Sequence, residues 1–462
     1  MSHSANSNSA QVRYADREKL ARLYDIEVQR FVAAHPESAK AHAVAAGPMM
    51  NGVPMSWMAK WPGPHPVYVA TAKGSRFTDV DGIEYVDFCL GDTGSMVGHS
   101  PDASVAAIAK QLAQGITFML PTADATVAAA TLAERFGLPK WQFTLTATDA
   151  NRHIIRYARH VTGRRKILVH DFCYHGTVDE TFANLDDAGN TVSRENNIGA
   201  PFDVAETTIV VPFNDLAAAE AAFATGEVAA ALIEPAMTNI GIVLPEPGYL
   251  EGLRELATKY GVVLIHDETH TLSEGVGGMT ARRALSPDAV VLGKTIGAGI
   301  PAGAFGMSQE LTDRVLGNVH LEHIDVGGVG GTLAGNALSM AAVRATLTEV
   351  LTADAFVGME ALCDIFTADV QGILDKYNAP WQVSQLGCRA EYSFRPTAPL
   401  NGREAADADD FELQQFLHLH AINRGILMTP FHNMALMSPA HTLADVKRHT
   451  EHFEEAVAAL FG

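Results

Sequence analysis

The chain has 462 residues, 47% hydrophobic and 19% charged, a globular mixture that can fill a sizeable core in two or three folding units. Its 33 Lys and Arg against 53 Asp and Glu leave a formal net charge of −20, which argues against a nucleic-acid surface and against affinity for acidic lipid. Four scattered cysteines, a polar start and the lack of an apolar run of roughly 20 residues exclude a disulfide framework and a membrane span, and no close Cys/His group marks a metal site. The expectation is a cytoplasmic enzyme or binding protein.

In chain order, residues 1–12 read as a flexible tail, and apolar periodicity over 16–35 predicts a helix. Between Pro48 and Pro66, Met55, Trp57, Met58 and Trp61 sit among glycines and prolines that prevent a regular helix. Such residues are either packing groups or the wall of a ligand pocket. Short strands at 68–71, 76–79 and 85–88 bracket an Asp81-Gly82 turn. Residues 13–88 thus form an N-terminal segment that contributes to a small domain and to a substrate pocket.

A helix over 101–115 takes Ser100 as its N-cap, and a second covers 123–136. Helices and apolar strands then alternate. Strands are predicted at 166–170, 208–212, 229–233, 262–266, 289–292 and 303–307, with helices at 149–162, 216–223, 249–260 and 309–315. Strands apolar on both faces require a helix-covered, mostly parallel sheet, so 89–345 is expected to be one large α/β domain. A long helix over 338–351 leads into 346–462, a smaller C-terminal α+β unit with strands near 389–394 and 426–428 and a last helix after Thr442.

Several residues carry possible chemistry. Lys294 follows an apolar strand and precedes a glycine-rich turn. Desolvated, its amine would be a nucleophile. Asp267 ends the strand before it, at the carboxyl edge where open α/β sheets bind ligands. An acid there can hold a proton on an aromatic ring nitrogen while the lysine supplies a Schiff base, the pairing that pyridoxal phosphate needs. Thr146, Ala147 and Thr148 precede a helix and offer hydroxyls and amides to a phosphate, although capping explains them equally. Tyr174 offers a ring for stacking, followed by His175 and Gly176. The segment Gly330–Asn336 adds amides and the Thr332 hydroxyl, for the same phosphate or for an adjoining subunit.

Together and in this order, these motifs resemble the class III aminotransferases, fold-type I pyridoxal-phosphate enzymes. The branch of closest resemblance contains glutamate-1-semialdehyde aminomutase and amine or β-amino-acid transaminases. Glu234-Pro235 with Asn239, Asp267-Glu268, Lys294 and Gly331–Asn336 are the most specific elements. The resemblance implies a large mixed, mostly parallel sheet domain with a smaller α+β domain, pyridoxal 5′-phosphate as cofactor, and a homodimer with sites at its interface. It places the Schiff-base lysine on Lys294 and the ring-nitrogen acid on Asp267. Phosphate contacts fall on Thr146, Ala147, Thr148 and the cross-subunit Thr332, the stacked ring on Tyr174 with His175, and further cofactor contacts on Asn239 and Thr269.

Departures from the family pattern bear on substrate. Ala147 and Asp149 stand where the family has glycine and glutamate, and His270–Glu274 replaces a Met-Thr-Gly-Phe-Arg segment, so that arginine is absent. The apolar cluster at Met55, Trp57, Met58 and Trp61 would accept a hydrocarbon or aryl group rather than a carboxylate. Arg389, Arg395 or Arg424 is then left to bind an acceptor carboxylate. The expected function is an aminotransferase moving an amino group from an amine or non-α-amino acid to an oxo acid such as pyruvate. An aminomutase, or a non-catalytic dimer that binds the cofactor, is the alternative.

Overall fold

The computed structural model describes residues 15–318, 320, 323, 324 and 327–462, so the tail expected at 1–12 lies outside the described residues. Seven strands form the central sheet: β1 (Lys140–Thr144), β2 (Lys166–His170), β3 (Thr208–Val211), β4 (Val228–Ile233), β5 (Val263–Asp267), β6 (Ala289–Leu292) and β7 (Gly303–Met307). Their spatial order is β1-β7-β6-β5-β4-β2-β3. Only β7 runs antiparallel to its neighbours, β1 and β6. The remaining pairs are parallel. Strands β4 to β7 are buried throughout, as continuous Val, Ile, Leu and Ala sequence demands of a sheet covered on both faces.

Register positions the site. Asp267 at the end of β5 pairs with Val291 of β6, so the chain leaving β6 reaches the same sheet edge and places Lys294 there two residues later. Gly293 between them is constrained by packing: a Cβ would sit 2.8 Å from the Cβ of Ala147. That contact locks the turn carrying Lys294 against the helix Ala147–Thr162.

Besides the two-stranded pair Ala183–Leu185 and Thr191–Ser193, two smaller sheets flank this unit. One joins the chain ends: Val69–Lys73, Arg76–Asp79 and Glu84–Asp87 form an antiparallel meander closed by a parallel strand, Ile426–Leu427. The other is antiparallel and contains Gln382–Leu386, Arg389–Ser393 and Met434–Leu436. One apolar core runs from Leu20 and Phe88 through Val290 and Phe366 to Phe453. The four cysteines are buried and unbridged, and among the described residues no helix is long and apolar enough to cross a membrane.

Local differences from the sequence reading have physical causes. Ser100 is not a cap: it adopts φ 49°, Pro101 occupies the cap position, and the helix begins at Asp102. The helix expected over 338–351 is Ala337–Ala345 followed by a wide turn to Val350. Leu351 leaves helical geometry, and Thr352 caps a new helix, Ala353–Lys376, by accepting from the Ala355 amide. Strand β1 was not anticipated, because five residues of mixed polarity at a sheet edge carry little periodic signal.

Candidate active site

The carboxyl ends of β5 and β6 and the start of helix Ala147–Thr162 enclose a cavity of about 330 Å³. Asp267 opens onto it while only 3% exposed. Its Oδ1 accepts from the Thr269 backbone amide at 3.1 Å and hydroxyl at 2.6 Å. Its Oδ2 accepts from the Asn151 amide at 2.9 Å and from His175 Nδ1 at 3.0 Å. Burial alone would raise the pKa of this acid, but His175, Thr269 and Asn151 outweigh it and hold the acid below the usual range. Burial likewise opposes charge on His175, yet Cys173 and Asp267 raise its pKa to about 10. The pair is therefore anionic acid and cationic imidazole near neutrality.

Thr146 caps the helix: its Oγ1 accepts from the Asp149 amide at 3.2 Å and donates to the Asp149 carboxylate at 3.1 Å. The Ala147 and Thr148 amides have no acceptor within the helix, so with the positive end of the helix dipole they suit an anion. Thr148 Oγ1 accepts from the Thr177 amide at 3.1 Å. Gly176, at φ +76°, lies so close that a Cβ would approach that hydroxyl to 2.0 Å.

Lys294 has φ 49°, costly for a residue with a side chain, and the strained turn aims its amine into the cavity lining. Its Nζ donates to Asp92 Oδ2 at 2.7 Å and lies 2.8 Å from His270 Nε2. His270 Nδ1 is 2.8 Å from Arg389 Nη2 and 3.0 Å from Thr93 Oγ1. Burial opposes charge on Asp92, but Lys294 and its neighbours push the carboxyl well below its ordinary range.

Of the residues singled out in the sequence, Thr146, Ala147, Thr148, Tyr174, Thr269 and Trp57 line the cavity with Asp267 and Lys294. The Trp57 ring lies 5.6 Å from Tyr174 and 5.7 Å from Phe431. Others are placed differently. His175 is buried behind Asp267 and supports that acid rather than lining the cavity. Thr238 is tied to Glu234 through amide and hydroxyl, and the turn that follows opens Asn239 onto a neighbouring cavity of about 490 Å³ with Trp61. Thr332 is exposed and outside the lining. Met58 faces a separate apolar cavity under the N-terminal segment, and Met55 is 45% exposed, its sulfur accepting from the Trp57 amide.

None of the three arginines reaches the cavity. Arg389, 1% exposed, is sealed behind His270. Arg395 is neutralised by Glu404 at 3.1 Å, and Arg424 by Glu27 and Glu455. Sequence reasoning missed Asp92, Asn151 and the role of His270. Asn151 carried a faint signal, a polar residue on the buried face of a strongly two-sided helix.

This sheet and site define a fold-type I enzyme. The model of the family "Aminotransferase class-III" matches residues 57–458, and the chain belongs to that family. A crystal structure of a glutamate-1-semialdehyde-aminomutase from Pseudomonas aeruginosa PAO1 is 45% identical, with TM-score 0.94 over 96% of this chain and 99% of that one. A glutamate-1-semialdehyde 2,1-aminomutase from Staphylococcus haemolyticus is 30% identical over 401 residues, 85% of this chain and 92% of its own length. An omega-transaminase from Sphaerobacter thermophilus is 29% identical with TM-score 0.83, covering 92% of this chain and 98% of that one.

The residues present fit the family's cofactor, pyridoxal phosphate. A cradle that excludes a Cβ at Gly176 adjoins a helix N-terminus suited to phosphate. Each Asp267 oxygen is already fixed by two protein donors, which holds the acid anionic for a ring N–H.

Proposed function

We propose that this chain is a pyridoxal-phosphate enzyme that relocates an amino group, and that it acts as an aminomutase on a small amino aldehyde resembling glutamate-1-semialdehyde. The observation that carries the first part is the placement of Lys294, Asp267 and the start of helix Ala147–Thr162 around one cavity. The names of the relatives support the second part over transfer between two substrates. When bound, pyridoxal phosphate supplies an electron-withdrawing ring that lets a proton leave the substrate carbon.

The chain's own residues supply the rest. Thr146, Ala147 and Thr148 bind the phosphate, and Tyr174 covers the ring. Asp267, fixed by Asn151, His175 and Thr269, keeps the ring nitrogen protonated. The Lys294 amine would hold the cofactor, and its Nζ would take and return the substrate proton. Residues 89–345 carry these groups, with 13–88 and 346–462 closing over them. A second protomer contributes Thr332, making a homodimer the working unit.

One observation favours the transaminase reading: among the described residues lining the cavity there is no arginine, and Trp57 and Tyr174 form an aromatic wall. The two readings separate in a single assay. Holoenzyme given an amino aldehyde with no oxo acid should form its amino-shifted isomer over many turnovers. Turnover that appears only when an amine and an oxo acid are both present would replace the aminomutase by a transaminase.

A further inference from the structure

No arginine lines the active-site cavity among the described residues, yet a cation stands one ring away from it. The single tight turn Ser56–Ala59 carries Trp57, which lines that cavity, and is capped by Lys60, whose amide donates to the Trp57 carbonyl at 3.0 Å. In a turn of this kind side chains three residues apart lie on one face, so the Lys60 chain follows the Trp57 ring. Both flank Phe431, with the Trp57 ring 5.7 Å and Lys60 Nζ 6.0 Å from its centre. Lys60 is exposed and, among the described residues, makes no ion pair. With Phe431 and Asn239 it lines the neighbouring cavity of about 490 Å³.

Three other charged or titratable groups face that cavity. Glu391 accepts from His432 Nδ1 at 3.3 Å and from the Asn433 amide at 3.2 Å, so this acid has its own cation. Asp409 belongs to the other end, where it also lines a separate cavity with Arg17 and Trp381. The charge left unbalanced beside Phe431 is that of Lys60. We infer, on the reading of Lys294 as the cofactor lysine, that Lys60 is the residue that binds a substrate carboxylate and so sets substrate class. The compound it selects carries its reacting amino group at one end, by Lys294, and a carboxylate a few carbons away that passes Trp57 to reach Lys60. A lysine suits this task, being a point charge with three donors on a flexible stem.

The test compares two amines of equal chain length, 5-aminopentanoate and pentylamine, which differ only in the carboxylate. Each is titrated into the holoenzyme, and the change in visible absorbance of the lysine-linked cofactor gives its apparent affinity. The wild type should prefer 5-aminopentanoate by about tenfold, near the lower end for a hydrogen bond to a charged group. Lys60→Met should bring the two amines to within about twofold of each other, and Lys60→Arg, which restores a cation, should keep most of the preference. A wild type that does not distinguish the amines overturns the inference, as does a preference that persists in Lys60→Met. A Lys60→Met variant that loses both amines equally also overturns it, because that is the mark of a structural role. Failure of the underlying reading shows separately, as lysine-linked absorbance that is missing from the wild type or that survives Lys294→Ala.

Discussion

Replacing Asp267 by asparagine isolates the electrostatic centre of the site. The carboxylate accepts four hydrogen bonds, two on each oxygen. An asparagine amide has one accepting oxygen. If it faces Thr269, its NH₂ confronts the donors of His175 and Asn151; if it flips, it confronts the Thr269 amide, while the Thr269 hydroxyl can turn and accept from it. The better orientation therefore keeps the bonds from His175 and Asn151, reverses the one to the Thr269 hydroxyl and loses the one from the Thr269 amide, leaving one buried donor stranded at a cost of about 1–3 kcal/mol. Asp267→Asn should therefore lose roughly 1–3 kcal/mol of folding stability, against a typical margin of about 5–15 kcal/mol. Equilibrium denaturation of the cofactor-free full chain reads this loss directly. Turnover of the loaded enzyme should fall about 10²-fold or more, as when a fixed charge partner of a reacting group is removed. Wild-type stability combined with wild-type turnover would refute the claim that Asp267 is both the anchored acid and the partner of the ring.

Two further perturbations follow from the same geometry. Gly176→Ala places a Cβ 2.0 Å from Thr148 Oγ1 at φ +76°, so it should cost about 1–2 kcal/mol from the backbone and weaken pyridoxal-phosphate binding, measured by equilibrium dialysis. The His175–Asp267 pair makes stability depend on pH. A histidine raised to about 10 contributes fully below its unfolded value of about 6.5 and loses that contribution as pH rises through about 10. Thermal melts should therefore show an alkaline fall in stability that His175→Gln flattens. The lowered Asp267 acts at the other end, its contribution lost only as pH falls below the ordinary carboxylate range.

The sheet was legible in the sequence wherever strands are apolar on both faces, as at Ala289–Leu292, and hidden where a short edge strand mixes polarity, as at Lys140–Thr144. Lys294, Asp267 and the Thr146 cap stood out because each sits at the end of a periodic element, where a polar residue breaks the pattern. Asp92 and Thr93 lie in a turn with left-handed backbone, without periodicity, and their contacts to Lys294, His270 and Arg389 span more than 170 residues of sequence. Arg389 reads in sequence as a strand cation free to bind a carboxylate. Its burial behind His270 emerges only from the packing of the C-terminal sheet against the turn after β5.

Borohydride reduction of the holoenzyme, followed by peptide mass mapping, tests the central assignment most directly. The pyridoxyl mass should appear on the peptide containing Lys294 and vanish in Lys294→Ala. A label on any other lysine, or one that survives that substitution, would contradict it.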